Sequence, residues 1–392
     1  TAIGSLGVNN NNWVLHPSTR LRFDYATPYA DAVANSQGRW GDSDAIILDG
    51  GSLELLGDDA AAVANTIQYT ETVGAVTAKR GADISVVSRG AFYAELTLAD
   101  LTRDTATSGT LTLRHNTNRL GVAGTANADR LIVSAWSGGS PLMTNGMIEP
   151  WIIDRSEQQF LKYDPTNGFQ VITAGGAPAN YIDTAATTLN GTVSPALLDG
   201  TGILNATGNP ATLGANLDIH ALRVSRDINV STDGNFNKII IRSGGITQAA
   251  NTPTINPDLY FGDEFGTGEA LIHASNNGLQ INGKIYASQV TKFGLSYLNV
   301  RSDQPQFTGD WVIQEGLIQF LTPGSTGAGS NNIILGGGHM NDNDNYLQTY
   351  LAEARFNYNP GTPDLFTWNT GTITNYDIGR VYTASGSDRL IQ

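Results

Sequence analysis

Residues 290–335 constrain the fold most. The chain reads Val-Thr-Lys-Phe-Gly-Leu-Ser-Tyr-Leu-Asn-Val from Val290, then Gln-Phe-Thr-Gly-Asp-Trp-Val-Ile-Gln-Glu-Gly-Leu-Ile-Gln-Phe-Leu from Gln306, then Asn-Asn-Ile-Ile-Leu from Asn331. Short apolar strands follow one another, each closed by Gly, Asn, Asp or Ser, with no room for a helix. Such even spacing predicts a chain that climbs by one sheet spacing per circuit, a β-solenoid.

The same rhythm recurs upstream, in Ile46-Ile47-Leu48, Leu53-Glu54-Leu55-Leu56, Ile84-Ser85-Val86-Val87, Leu96-Thr97-Leu98, Leu111-Thr112-Leu113 and Leu131-Ile132-Val133. It returns in Leu222-Arg223-Val224, Ile239-Ile240-Ile241, Leu279-Gln280-Ile281 and Leu298-Asn299-Val300. Alternation of apolar and polar residues puts one face inward and the other outward. One coil of this composition cannot bury its apolar face alone, whereas stacked coils share a core and a backbone ladder. Leu298, Val300, Val312 and Leu335 are expected to point inward. At roughly 20–25 residues per coil and ~4.8 Å rise, the regular parts predict a rod.

Four segments are expected: 1–45 irregular N-terminal coils, 46–136 β-solenoid, 137–216 a loop-rich excursion, and 217–392 β-solenoid. The excursion is inferred from proline, because six of the fourteen prolines fall at 141, 150, 165, 178, 195 and 210, and proline cannot donate to a central ladder. Trp136, Trp151, Phe160, Tyr163 and Phe169 are candidates for a small core of its own. Helix candidates are 58–64 and 346–356, since short apolar runs do not separate helix from strand.

With 22 basic and 36 acidic residues the net charge is −14, a field that repels phosphate backbones and anionic lipid. Neither nucleic acid nor membrane insertion by this segment is expected. Cysteine is absent, which excludes disulfides, thiolate metal sites and thiol catalysis. No stretch approaches the ~18 apolar residues of a membrane span, and no signal segment opens the chain at Thr1. A piece processed or excised from a longer precursor is the expectation.

Thr291, Lys292, Gly294, Leu298 and Val300, then Phe307-Thr308-Gly309, Val312-Ile313, Gly316 and Ile333-Ile334-Leu335, resemble the autotransporter-associated β-strand repeat. That repeat typically runs Leu-Thr-Lys-x-Gly-x-Gly-Thr-Leu-x-Leu, then Tyr-Thr-Gly, then a Gly-Thr-Leu strand. Leu295-Ser296-Tyr297 departs from it where a Gly-Thr pair is preferred, and Leu317-Ile318 replaces Thr-Leu. Upstream, Asn145-Gly146-Met147-Ile148, Trp151, Phe160, Tyr163-Asp164 and Asn167-Gly168-Phe169 resemble a segment often found before this repeat in long surface proteins. The resemblance implies a right-handed parallel β-helix, secreted or held at the cell surface, on the outer-membrane exterior of a Gram-negative-type bacterium.

Chemistry is sparse. The carboxylate doublets Asp42/Asp44, Asp58/Asp59 and Asp263/Glu264 lie beside turn formers, where Asp is favoured for its bonds to nearby backbone. Asn341-Asp342-Asn343-Asp344-Asn345 resembles the alternating oxygen donors of a calcium loop, but lacks the Gly at the sixth position and the distal Glu. Asp342 and Asp344 are therefore the weak calcium candidates, and otherwise no cofactor is expected. Asp258 and Glu269 extend the acidic loop around Asp263. The histidines at 16, 115, 220, 273 and 339 show no pair at ligand spacing. Gly336-Gly337-Gly338 precedes no phosphate-binding helix, and Asn190, Asn205 and Asn229 open Asn-x-Ser/Thr triplets.

The sequence thus predicts an all-β parallel solenoid with an irregular excursion, serving as an extracellular structural or adhesive body and not as an enzyme. Its expected partners are copies of itself or neighbouring coils of a longer precursor, with a host surface or glycan as a further contact. End-to-end assembly is part of this expectation, because Asp388-Arg389-Leu390-Ile391-Gln392 closes the chain without a capping helix. One rival is a carbohydrate-active β-helix enzyme, a polysaccharide lyase or hydrolase, which would gather carboxylates and aromatic platforms on one exposed groove. Another is a self-assembling fibre or surface-layer subunit.

Overall fold

The computed structural model describes residues 12–17, 19–25, 40–57, 68–87, 93–115, 120–121, 129–137, 143–173, 181–275, 277–328, 331–336, 339–340, 349–350, 352–356, 373–375 and 380–383. It is an all-β parallel solenoid. Among the described residues the helical elements are two three-residue 3-10 turns, Thr105–Thr107 and Pro195–Leu197. The chain forms two compact units. One holds Thr1–Ile148, Ile152–Val171 and His339–Thr349, and the other Glu149–Trp151, Ile172–Gly338 and Tyr350–Gln392.

In the first unit successive strands alternate between two sheets. Trp13–Leu15, Ile46–Leu48, Gln68–Ala78, Tyr93–Arg103 and Arg130–Ala135 stack in parallel as one; Arg20–Asp24, Ser52–Leu56, Gly81–Val87 and Thr110–Arg114 stack as the other. Trp13–Leu15 and Arg20–Asp24 thus already pair in parallel with the next coil, so the irregular coils expected over 1–45 give way there to regular ones. Leu53, Leu55, Ile84, Leu111 and Leu113 are fully buried. Opposite them, the charged or hydroxylic side chains of Glu54, Asp83 and Thr112 are buried too, and partners join them across coils: the half-buried Arg20 and Arg22 to Glu54, and Thr112, the half-buried Arg114 and, from the next coil, Arg155 to Asp83.

The excursion expected over 137–216 divides into three parts. Met143–Thr144 and Met147–Ile148 form a hairpin whose two-residue turn is Asn145-Gly146, both at positive φ (52° and 75°). This is the type I′ geometry for which Asn-Gly is favoured. Ile152–Asp154 then joins the parallel sheet beside Thr110–Arg114, and Gln159–Asp164 and Gly168–Val171 continue it antiparallel. This meander seals a sheet edge. Tyr163 Oη accepts from Val133 N at 2.9 Å and donates to Val133 O at 2.8 Å, serving both backbone groups of a residue on the last strand of the other sheet. Trp136, Tyr163 and Phe169 pack edge to face around it, with centroids 5.2 to 5.9 Å apart. Gly168 allows the close approach, since a Cβ there would sit 2.1 Å from Leu131 O.

Parallel coils resume at Tyr181–Thr184, well before the expected return near Leu217. The prolines at 195 and 210 sit in corners between strands, where no ladder bond is lost.

In the second unit the four successive coils from Ile203 to Tyr286 each visit three sheets, and the coils of Gln289–Val300 and Asp310–Phe320 visit the two long ones. Ile203–Ala206 lies on a first long sheet, Ala211–Leu213 on a second, and Leu217–Ile219 on a short one; Ala221–Val224 then lands back on Ile203–Ala206 in parallel. The two long sheets have nine strands each and the short one four. Coil length follows from the stacked positions Leu204, Leu222, Ile246, Ile272, Lys292, Ile313 and Leu335, whose spacings run from 18 to 26 residues. Leu298, Val300 and Leu335 are fully buried in the shared core, as expected. Val312 is a correction: it is buried, but Trp311 and Ile313 take the core side of that strand, and Val312 shares the other face with Thr291. The helix candidate 346–356 is corrected as well, because Glu353–Phe356 is a strand in parallel with Leu317–Phe320, its burial alternating with period two. The other candidate, 58–64, and the closing residues 388–392 lie outside the described residues.

Where a coil turns between sheets, its carbonyls leave the ladder, and long donor side chains meet them. Arg226 Nη1 donates to Asn209 O at 2.9 Å, Gln248 Nε2 to Asn251 O at 2.9 Å, and Asn331 Nδ2 to Gly309 O at 2.6 Å. Lys292 occupies an inward position between Ile272 and Ile313, and its Nζ donates to Gly294 O and Glu315 O. Burial pushes its pKa well below the ordinary lysine value. Gly294 and Glu315 are buried, so each of the two lysine bonds spares a buried carbonyl a penalty of about 1–3 kcal/mol.

Candidate functional site

The outer face of the short sheet gathers the chemistry that the sequence singled out around Asp263. Its strands are Leu217–Ile219, Lys238–Ile241, Asp258–Phe261 and Ile285–Tyr286. Asp218, Ile240, Tyr260 and Tyr286 stack in register along this face. The Tyr260 and Tyr286 rings lie face to face, centroids 4.1 Å apart and 6° from parallel. Lys238 Nζ sits 3.9 Å from the Tyr260 centroid on its strand's outer face and donates to Glu264 O at 3.0 Å. A cation over an exposed ring contributes about 0.5–1 kcal/mol. Burial, then the Tyr286 hydroxyl, pushes the Tyr260 phenol above its usual value.

The carboxylates beside this column are committed to backbone and neighbours. Asp263 accepts from Phe265 N at 2.9 Å, Thr267 N at 3.1 Å and Thr267 Oγ1 at 2.6 Å. The Thr267 hydroxyl and amide hold its carboxyl below the ordinary range, the opposite of what a general acid needs. Asp258 Oδ1 accepts from Lys284 N at 2.8 Å, and Asp218 pairs with Arg242 through two bonds. Glu269 accepts from Gln289 and Thr291 on the first long sheet. The stack covers one face of each ring, and Lys238 lies over Tyr260 as well. Phe265, at 73 % exposure, tips the loop.

The other sequence candidates are dispersed. Asp42 is exposed and Asp44 is buried in the turn that its own amide closes on Gly41 O. His115 lies 3.3 Å from Asp154, both buried. His273 is fully buried, Nδ1 at 3.1 Å from Thr247 Oγ1 and Nε2 at 2.7 Å from Ser275 Oγ. Asp58, Asp59, Asp342, Asp344 and the 341–345 run lie outside the described residues. Among the described residues no three His, Asp or Glu side chains are placed to share a metal ion, and no helix is long and apolar enough to cross a membrane.

The sequence reading missed the axial columns. Asn256 Nδ2 donates to Asn229 Oδ1 at 2.8 Å and Asn282 Nδ2 to Asn256 Oδ1 at 2.7 Å, a ladder where the strands of the second long sheet end and the corners begin. The available signal was recurrence at coil spacing, in Asn229, Asn256 and Asn282 and again in Tyr260 and Tyr286.

Fold and face together define a parallel β-solenoid with outward columns bonded from coil to coil. Compared with family models, curated proteins and solved structures, the chain matches none.

Proposed function

We propose that this chain is the structural and adhesive body of a bacterial surface protein, displayed outside the cell and continued by further coils or by copies of itself. The observation that carries the reading is the axial bonding of its outward side chains: the Asn229–Asn256–Asn282 ladder and the Lys238–Tyr260–Tyr286 stack. Such columns tie three successive coils together outside the core and stiffen that part of the stack, a mechanical contribution. The hydrolase form of the enzyme alternative needs a protonated carboxylic acid facing a second carboxylate across a groove. Asp263, held ionised by its own turn, speaks against that role.

The test is double. Antibodies to this chain should label intact cells of the source organism as strongly as permeabilised ones. The purified protein should leave pectin, alginate, glucans and peptide pools unchanged. Turnover of any of them that vanishes on Asp263→Asn or Glu264→Gln overturns the structural reading in favour of the enzyme, and labelling confined to permeabilised cells overturns the surface location.

A further inference from the structure

One corner of the second unit carries more chain than its coil requires. Between the second long sheet and the short sheet the connection takes three residues at 214–216, two at 256–257 and three at 282–284, but eight at 230–237. The extra residues are locked. Ser231 N donates to Phe236 O at 2.9 Å, Phe236 N to Ser231 Oγ at 2.8 Å, Ser231 Oγ to Asp233 Oδ1 at 2.6 Å, and Asn235 Nδ2 to Asp233 Oδ2 at 2.6 Å. Phe236 packs against the core beneath.

This insert walls an open groove of about 440 Å³ whose floor is the outer face of the first two coils. Thr187, Thr188 and Thr212 line the floor; Ser231, Asp233 and Phe236 line the wall. Thr188 and Thr212 stand in register on neighbouring strands, one sheet step of ~4.8 Å apart. Backbone donors of the floor are already engaged, Thr212 N with Thr187 O and Gly214 N with Leu189 O, both at 2.8 Å. The groove therefore offers side-chain hydroxyls, one carboxylate and one ring rather than a sheet edge for a peptide.

We propose that this groove binds a neutral oligosaccharide. Hydroxyls repeating at about the length of one sugar ring match a chain of hydroxyls, Asp233 Oδ2 keeps a lone pair beside its bond from Asn235 Nδ2 and accepts from one sugar hydroxyl, and Phe236 gives an apolar surface for ring C–H groups. The volume falls within the ~300–1,000 Å³ of small-ligand sites. A net charge of −14 disfavours acidic polysaccharides. The inference rests on the adhesive part of the proposed function and gives that function a ligand class.

Calorimetric titration of the whole chain with xylo-, manno-, gluco- and galacto-tetrasaccharides tests it, with oligogalacturonate and alginate oligomers as acidic counterparts. At least one neutral tetrasaccharide should bind saturably, and Thr188→Val and Thr212→Val should each weaken it by about tenfold while leaving the thermal midpoint unchanged. No binding across the neutral set, preference for the acidic oligomers, or binding indifferent to both substitutions overturns the proposal. None of these outcomes touches the surface location or the absence of turnover, which are measured separately.

Discussion

His220 is buried at the corner where the short sheet hands the chain back to the first long sheet, its amide bonded to Gly202 O at 2.7 Å. Burial pushes its imidazole down to about 4. A folded value below the unfolded ~6.5 means the unfolded chain takes up the proton first, so the His220 contribution is complete above pH 6.5 and is lost as pH falls towards 4. The expected loss is roughly 3 kcal/mol, read as a shrinking difference in urea unfolding free energy between wild type and His220→Gln from pH 7 to pH 4. A constant difference contradicts it. Lys292 follows the same sign at higher pH. Its depressed pKa places full stability above ~10.5 and a loss as pH falls through the folded value. Raising pH from 7 to 10.5 should therefore stabilise wild type relative to Lys292→Met, and parallel denaturant midpoints would show that the buried amine carries no such linkage.

Among the elements, the antiparallel meander of the first unit bears on edge protection. A terminal strand exposes unpaired N–H and C=O groups that invite pairing with another chain, and covering the strand removes the invitation. Tyr163→Phe deletes the hydroxyl that serves Val133 and should cost about 1–3 kcal/mol, with faster hydrogen exchange at the Val133 amide. Unchanged exchange there would mean the ring, not the hydroxyl, seals the edge. In the second unit, Leu298→Asp places a carboxylate among fully buried neighbours, where the lost burial alone is worth about 1.5–3 kcal/mol and the unpaired charge adds to it. Limited proteolysis should then cut within 279–320 at temperatures where the wild type resists. Wild-type resistance in that variant contradicts its place in the core.

At the scale of the whole molecule, each complete coil of the second unit contacts its neighbours through the same repeated positions, so stability is close to a sum of coil and interface terms. Stretching the tethered chain should release it in steps. Each step within 203–335 should correspond to one coil, 18 to 26 residues by the spacing of the stacked positions. A single all-or-none extension of that region would contradict a coil-by-coil ladder. Asn256→Ala, which interrupts the asparagine ladder, should lower the force of the steps on either side of it.

The local pattern was enough for the parallel β class, for the inward placement of Leu298, Val300 and Leu335, and for Asp263 in a turn, because period-two alternation and turn chemistry act over a few neighbouring residues. Axial partnership is another matter. Between Ile203 and Leu335 a residue's neighbour in the next coil lies 17 to 27 positions away, and the corners that set this distance differ in length, one residue at 220 and eight at 230–237. Register therefore had to come from the folded stack. It decided that Lys292 falls in line with Ile272 and Ile313, that Val312 turns away from the core, and that 353–356 becomes a strand against 317–320. It also decided that a proline-marked segment closes an edge with Tyr163, because that edge belongs to Val133, thirty residues earlier in the chain.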